Sequence, residues 1–378
     1  MKTYCFKLYR AKRNKKLHRS INIAGSIYNH LIALHRRYYR LYGRYLHANR
    51  LKKHITKLKK LPKCAYWNKL GSQAVQDIAE RIDRAYKLFF RNLKRGIRTA
   101  PPSFRKVRRY KSFTLKQAGW KLLAGNQLRI MGQEYKYHKS REIRGIIKTI
   151  TVKRDPLLGD IYLFVVCKTS DRPVGPRSGN SVGLDFGLKT FLTTSDGNKI
   201  DSPLFFNQGS TKIKQLGRAL SSKKKGSHNR KRARLDLACG HKRIANQRKD
   251  FHFKLAKELA EKYATICIED LNLKAMQRLW GRKVSDLGHA NFVKILEHQC
   301  SKAGTVLVKT DRFYPSSKTC SNCGYIYKEL SLKERQWVCP SCSAIHDRDE
   351  NAATNIHRVG TSTLKGEVVR PAPAGVLL

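Results

Sequence analysis

The chain has 378 residues, 80 of them Lys or Arg and 26 Asp or Glu, for a formal net charge of +54. Charge of that size repels itself in a compact fold and calls for a polyanionic partner. With 40% hydrophobic residues the chain can bury a core, which excludes a wholly disordered basic tail. No run approaches the roughly 18 apolar residues of a membrane span, so a membrane protein is excluded. Residues 1–17 lack a signal peptide's apolar stretch, so secretion is not expected.

In chain order, Thr3–Tyr9 (TYCFKLY) reads as a short strand and Leu17–Leu61 as helices. From Ser72, the residues Val75, Ile78, Ile82, Ala85, Phe89 and Leu93 form one apolar helical stripe. A basic helical unit thus covers 18–100 and closes at Pro101-Pro102. Between Ser112 and Ser170 the segments SFTL, QLRIM, IKTITV and IYLFVVC read as strands of a small β-barrel, to which the first strand returns. Asp171–Asn180 is a linker.

Beyond it come strands at Ser181–Leu184 and Thr190–Thr194, with Ser195–Asn198 as a hairpin turn into Lys199-Ile200. Phe251, Leu255, Leu259 and Tyr263 mark a helix before the strand Ala264–Ile268. Phe292, Ile295 and Leu296 mark another before Thr305–Val308. A hairpin sheet followed by αβ units is the order of an RNase H-like fold. The segment after Gly360 has no periodic pattern and is expected to be disordered.

The basic residues cluster at Lys12–Arg19, Arg36–Lys60, Arg91–Lys111 and Lys212–Lys249, the last with fourteen Lys/Arg and one acid, Asp236. Any single cluster could be a solvated helix face, but nothing acidic balances them all, so the partner is nucleic acid. Tyr28, Tyr38, Tyr39, Tyr42 and Tyr45, which lie among these charges, are read as a helix's core face rather than as base-stacking groups.

Six cysteines stand singly (Cys5, Cys64, Cys167, Cys239, Cys267, Cys300) and are read as small buried hydrophobes in a reducing compartment. The other four form Cys320-x₂-Cys323, fifteen residues, then Cys339-x₂-Cys342, which is Cys₄ zinc spacing rather than disulfide spacing. Four thiolates leave no open position, so one structural Zn²⁺ is expected. It would hold a basic excursion that includes Lys318, Lys328, Lys333 and Arg335.

Acids at the ends of apolar strands are conspicuous in so basic a chain. Asp185 follows Val182-Gly183-Leu184, and Glu269-Asp270 follows Ile266-Cys267-Ile268. Asp347-Arg348-Asp349-Glu350 opens a helix. Singly, these could be a turn residue, a strand end and an N-cap. Jointly, they suit two Mg²⁺ ions bound through carboxylate oxygens for phosphodiester hydrolysis.

VGLDFGLKTFLTTSDG (Val182–Gly197), ICIEDLNLKAM (Ile266–Met276), FYPSSKTCSNCG (Phe313–Gly324), CPSC (Cys339–Cys342) and HDRDENAATNI (His346–Ile356) together resemble the TnpB family. These are RNA-guided nucleases of bacterial insertion sequences, related to type V CRISPR effectors. The N-terminal half matches only in layout.

The resemblance implies a multidomain α/β protein with a RuvC-type triad at Asp185, Glu269 and Asp349. It implies two Mg²⁺, replaceable by Mn²⁺, and zinc ligands Cys320, Cys323, Cys339 and Cys342. Residues 1–17 with 112–171 would form a wedge-like barrel gripping RNA scaffold, and 18–111 a recognition lobe over the guide–target heteroduplex. Residues 181–358 would be the nuclease domain, with 313–346 an inserted zinc ribbon and 359–378 a disordered tail.

The expected partners are a guide RNA transcribed from the element and double-stranded target DNA. A monomer in the bacterial cytoplasm, associated with the nucleoid, is expected. The competing readings are a DDE-like transposase and a non-catalytic zinc-bearing nucleic-acid-binding protein. No convincing helix-turn-helix for transposon ends is found.

Overall fold

The computed structural model describes residues 1–169, 175, 179–271, 281, 286–331, 333–364 and 366. Most of the linker at 171–180, residues 272–276 of the second motif and the segment after 366 lie outside them. The chain divides into two compact units, Met1–Asp171 and Arg172–Leu378.

In the first unit, β1 (Lys2–Lys7), β2 (Ser112–Leu115), β6 (Ile146–Arg154) and β7 (Ile161–Lys168) form an antiparallel sheet in the order β1-β7-β6-β2. The short strands β3 (Trp120–Leu122), β4 (Gln127–Ile130) and β5 (Gln133–Lys136) make a separate meander. The N-terminal strand returns as expected, pairing with β7. The barrel does not close. Between the two sheets the described ladder has only the isolated bridge Leu8–Tyr137, because β3–β5 pair among themselves.

Helices α1 (Asn14–Tyr42), α2 (Ala48–Leu58) and α3 (Ser72–Lys94) supply the rest of this unit's core. Buried Arg154 pins the approach to β2. Its guanidinium donates to the carbonyls of Arg108 and Tyr110 and to Asn22 Oδ1 of α1, at 2.8–3.1 Å.

The stripe on α3 is shorter than its periodicity suggests. Val75, Ile78, Ile82 and Tyr86 are buried, whereas Phe89 is partly covered and Leu93 is 57% exposed. The tyrosines also divide. Tyr28 is buried and Tyr38 and Tyr45 pack on the core, but Tyr39 and Tyr42 stand in solvent because α1 runs on past the core. Of the single cysteines, Cys167, Cys267 and Cys300 are buried, while Cys5 and Cys239 are exposed on outward-facing positions.

The second unit holds a five-stranded sheet in the order β10-β9-β8-β11-β12. β8 (Ser181–Asp185), β9 (Thr190–Thr194) and β10 (Lys199–Asp201) are antiparallel, and β11 (Thr265–Glu269) runs parallel to β8 and to β12 (Val306–Thr310). Between β10 and β11 lie α4 (Phe205–Ser221) and α5 (His228–Lys262), followed after β11 by α6 (His289–Ala303). The unit ends in a hairpin of β13 (Gln336–Val338) and β14 (Ile345–Asp347), then α7 (Arg348–Leu364).

Strand alternation assigns the two faces of this sheet. Ile266 and Ile268 face Leu255, Leu259, Phe292 and Leu296 of α5 and α6, whereas Cys267 faces Ile356 of α7. The N-terminal half of α5 pairs with α4 and keeps Lys231, Arg232 and Arg234 exposed. At the far end, α7 runs to Leu364, four residues past the point where the sequence pattern fades.

Candidate active site and metal centre

The register sets up the first two acids. Leu184 pairs with Ile268, so Asp185 and Glu269 are the next residues on adjacent parallel strands, which run about 4.8 Å apart. The third acid comes from the opposite direction, on the first turn of α7.

That helix can lie directly on the sheet because the sequence leaves out two side chains. A Cβ on Gly183 would stand 2.1 Å from the carbonyl oxygen of Ala353, and one on Gly360 would stand 2.4 Å from Cys267 Sγ. Sequence pattern marks Gly183 weakly, since a glycine in mid-strand often signals close backbone approach, and Gly360 not at all.

All three acids are half-buried. Burial first, then the charges of Asp349 and Glu269, push the Asp185 carboxyl up to about 7. Burial pushes Glu269 up to about 7 as well. Cationic charge placed beside Asp185 and Glu269 would favour their ionised forms.

Asp347 has a different task. It precedes α7 and accepts from the backbone N–H of Asp349 and Glu350 at 2.9 and 3.1 Å, as an N-cap does. Its outer oxygen takes Lys199 Nζ at 2.8 Å. Burial alone would raise its pKa, but Lys199 and the two N–H groups outweigh it and hold the carboxyl below its ordinary range.

Asp349 instead meets Arg335 of the cysteine-bearing segment, whose Nη1 lies 3.0 and 3.1 Å from its two oxygens. Arg335 therefore serves the acid site and is not a free basic contact. Lys318 likewise spends a proton on the carbonyl of Lys328. Asp270 is ion-paired with Arg312. Beside Glu269 a cleft of about 230 Å³ opens, lined by Phe186, Leu271, His289, Lys294 and Lys309.

The four paired cysteines converge with all their sulfurs within 4.8 Å of one another. Cys320 and Cys342 are 3.7 Å apart and Cys323 and Cys339 are 3.6 Å apart. Zn–S bonds of about 2.3 Å in a tetrahedron put sulfurs about 3.8 Å apart, whereas a disulfide would need about 2.05 Å. The donor set fits zinc.

Without a cation, burial drives the Cys320 thiol up to about 12, while the Ala344 N–H draws Cys342 down to about 6. His346 Nε2 lies 3.0 Å from Cys320 Sγ, where an N–H would support a thiolate, and its ring packs on Trp337. His346 sits on β14, so the cysteine cluster and the acid-bearing helix share one strand.

Two family models match this chain: one described as "Probable transposase" over residues 164–279, and one described as "Cas12f1-like, TNB domain" over 289–356. A Streptomyces pristinaespiralis protein named "Putative RNA-guided DNA endonuclease" is 31% identical over 324 residues, covering 84% of this chain and 79% of the relative. InsQ of Escherichia coli K12, which bears the same description, is 30% identical over 321 residues, covering 79% and 77%.

"TnpB-like protein L79" of Acanthamoeba polyphaga mimivirus is 34% identical over 241 residues, covering 60% of this chain and 46% of the relative. Among solved structures, Cas12f1 from a complex with sgRNA and target DNA aligns with a TM-score of 0.58 at 16% identity. It covers 92% of this chain and 83% of that one, a likeness of fold. With a relative at 31% identity over most of both chains, and both family models falling on the region that carries the acids and the cysteines, the chain belongs to the TnpB family.

Proposed function

We propose that this chain is an RNA-guided DNA endonuclease with a single RuvC-like site at Asp185, Glu269 and Asp349. The observation that carries the reading is the convergence of these acids, close enough for Asp349 and Glu269 to raise Asp185. Together they would hold two Mg²⁺, or Mn²⁺ in their place, which when bound supply an activated water and a stabilised leaving oxygen. In the reaction a water oxygen bonds to phosphorus as the P–O3′ bond breaks, leaving a 3′-hydroxyl and a 5′-phosphate.

The protein's own residues arrange this chemistry. Adjacent strands hold Asp185 and Glu269, the Asp347 cap fixes the first turn of α7, and Arg335 orients the Asp349 carboxylate. Residues 1–17 with 112–171 would grip RNA scaffold through an open sheet and meander. Residues 18–111 would cover the heteroduplex, 181–358 would cut, and 313–346 would hold target DNA. We place the protein in the cytoplasm, on the nucleoid, as a monomer.

Zinc at Cys320, Cys323, Cys339 and Cys342 is structural in this reading. Metal analysis of the purified protein should find about one Zn²⁺ per chain. Cys320→Ser should lower zinc content and cleavage together while RNA retention persists, and zinc-free protein would contradict the assignment.

One protein, two guides and two matched plasmids test the function. Exchanging the guide should redirect the cut, since pairing reads the target. A transposase would follow its own end sequence whatever RNA was present, and a plain binding protein would cut nothing. Cleavage that ignores the guide overturns the proposal.

A further inference from the structure

Phe313 is 84% exposed, more than any other large apolar side chain described. A single exposed hydrophobic residue needs no explanation by itself. Three observations set this one apart.

Its place is the first. Glu269 pairs in register with Thr310 on β12, and Phe313 comes three residues later. At about 3.6 Å per residue, its Cα lies within about 11 Å of that of Thr310, at the carboxylate end of the parallel strands. Adding the roughly 4.8 Å between paired strands puts it within about 16 Å of the Glu269 Cα, about five nucleotides at 3.4 Å per step.

The second is how the backbone is held. The Phe313 N–H donates to Asp311 Oδ1 at 3.0 Å, and the Tyr314 N–H reaches the Asp311 carbonyl at 3.3 Å. The next residue turns inward, with the Tyr314 hydroxyl buried. Pro315 then accepts from Lys318 and Thr319 at 3.0 Å, anchoring the start of the cysteine-bearing segment. The ring is thus presented from a fixed turn, not from a frayed end.

The third is the surrounding charge. Arg312 precedes it, paired with Asp270, and Lys294 lines the cleft beside Glu269 together with Lys309, which is paired with Glu297. An exposed ring that follows a basic residue at the carboxylate end of the sheet suits a chain with a phosphate backbone and an aromatic face on each unit.

The geometry points to Phe313 as a stacking platform for an unpaired nucleobase of the DNA strand that is cut, lying within about five nucleotides of the scissile phosphate. The ring would orient the strand and take no part in the bond change. This inference rests on the reading of the carboxylates as a nuclease site. Its test therefore uses binding without cleavage.

The experiment uses the full chain with the RNA that purifies with it and no added divalent cation. The probes are short single-stranded oligodeoxynucleotides carrying 2-aminopurine at one position at a time. Wild type and Phe313→Tyr should quench one position strongly. Phe313→Ala and Phe313→Leu should lose that quench and bind about 5- to 150-fold more weakly, the range for one lost base–aromatic stack. Their melting temperature and zinc content should stay at wild-type values, as expected for an exposed side chain.

Unchanged quench and affinity in both variants overturn the inference. So does a loss confined to RNA probes, or a loss of self-association in place of DNA binding. Quench that depends on Phe313 in a protein that cuts nothing with Mg²⁺ upholds the stack and sinks the nuclease reading alone.

Discussion

Replacing Asp185, Glu269 or Asp349 by Ala should reduce DNA cleavage by about 10³-fold or more, because loss of even one preorganised electrostatic group costs 10²–10³. RNA retention should be nearly unchanged, since affinity comes from lysines and arginines and not from carboxylates. Asp347→Ala is the control within the same segment. It removes the cap on α7 and the Lys199 pair, which should cost about 1 kcal/mol of stability while leaving measurable cleavage. Loss of cleavage in Asp347→Ala with retention in Asp349→Ala would reverse the two roles.

The acid site also carries a stability signature. Asp185 has a folded pKa near 7, above its unfolded value, so the folded state holds a proton that the unfolded chain has lost between about pH 4 and 7. Stability therefore falls as pH rises through that window. Asp185→Asn removes the penalty, and in metal-free buffer at pH 8 it should melt above wild type. The difference should fade as pH drops toward 4. A variant that melts lower at pH 8 would mean that the carboxylates are not crowded as described.

The acids and cysteines were legible because their chemistry leaves a mark in one dimension. Asp185 and Glu269 interrupt apolar strands in a basic chain, and the cysteine pairs keep zinc spacing. In the second unit, strands β8–β12, the end of α5 and α6 could be read from alternation and from the stripe through Leu255 and Leu259, but α4, the start of α5 and the β13–β14 hairpin could not. What escaped was everything set by long-range packing.

Strands β2, β4, β6 and β7 could be found, but not the short β3 and β5, and not which strands pair. Whether a run of strands closes into a barrel depends on edge pairing, which local pattern does not encode, and here β3–β5 pair among themselves. Leu93 and Tyr42 keep the helical period beyond the point where a neighbour exists to bury them. Arg335 and Lys199 look like any of the 80 basic residues until the fold sets them against Asp349 and Asp347.

Gly183→Ala should be among the most damaging single-methyl changes in the second unit. The added carbon meets backbone, 2.1 Å from Ala353 O and 2.6 Å from His357 N, and backbone in the middle of a helix cannot rotate away. Either α7 lifts from β8 or the strand bends, and each displaces Asp349 relative to Asp185. Overpacking of this kind costs about 1–3 kcal/mol or more, and a shift of about 1 Å at a catalytic group can cost 10²-fold in rate. Gly360→Ala provides the contrast, because its new methyl meets a side chain, Cys267 Sγ, at 2.4 Å. The Cys267 Cβ follows at 2.6 Å, so only removal of the whole side chain clears the space, and Gly360→Ala with Cys267→Gly should recover stability and cleavage beyond the sum of the single effects. For Gly183→Ala no neighbouring truncation should help. Melting curves and cleavage rates for the three variants decide the matter, and a Gly183→Ala protein that cuts at the wild-type rate would show that α7 does not depend on this contact to place Asp349.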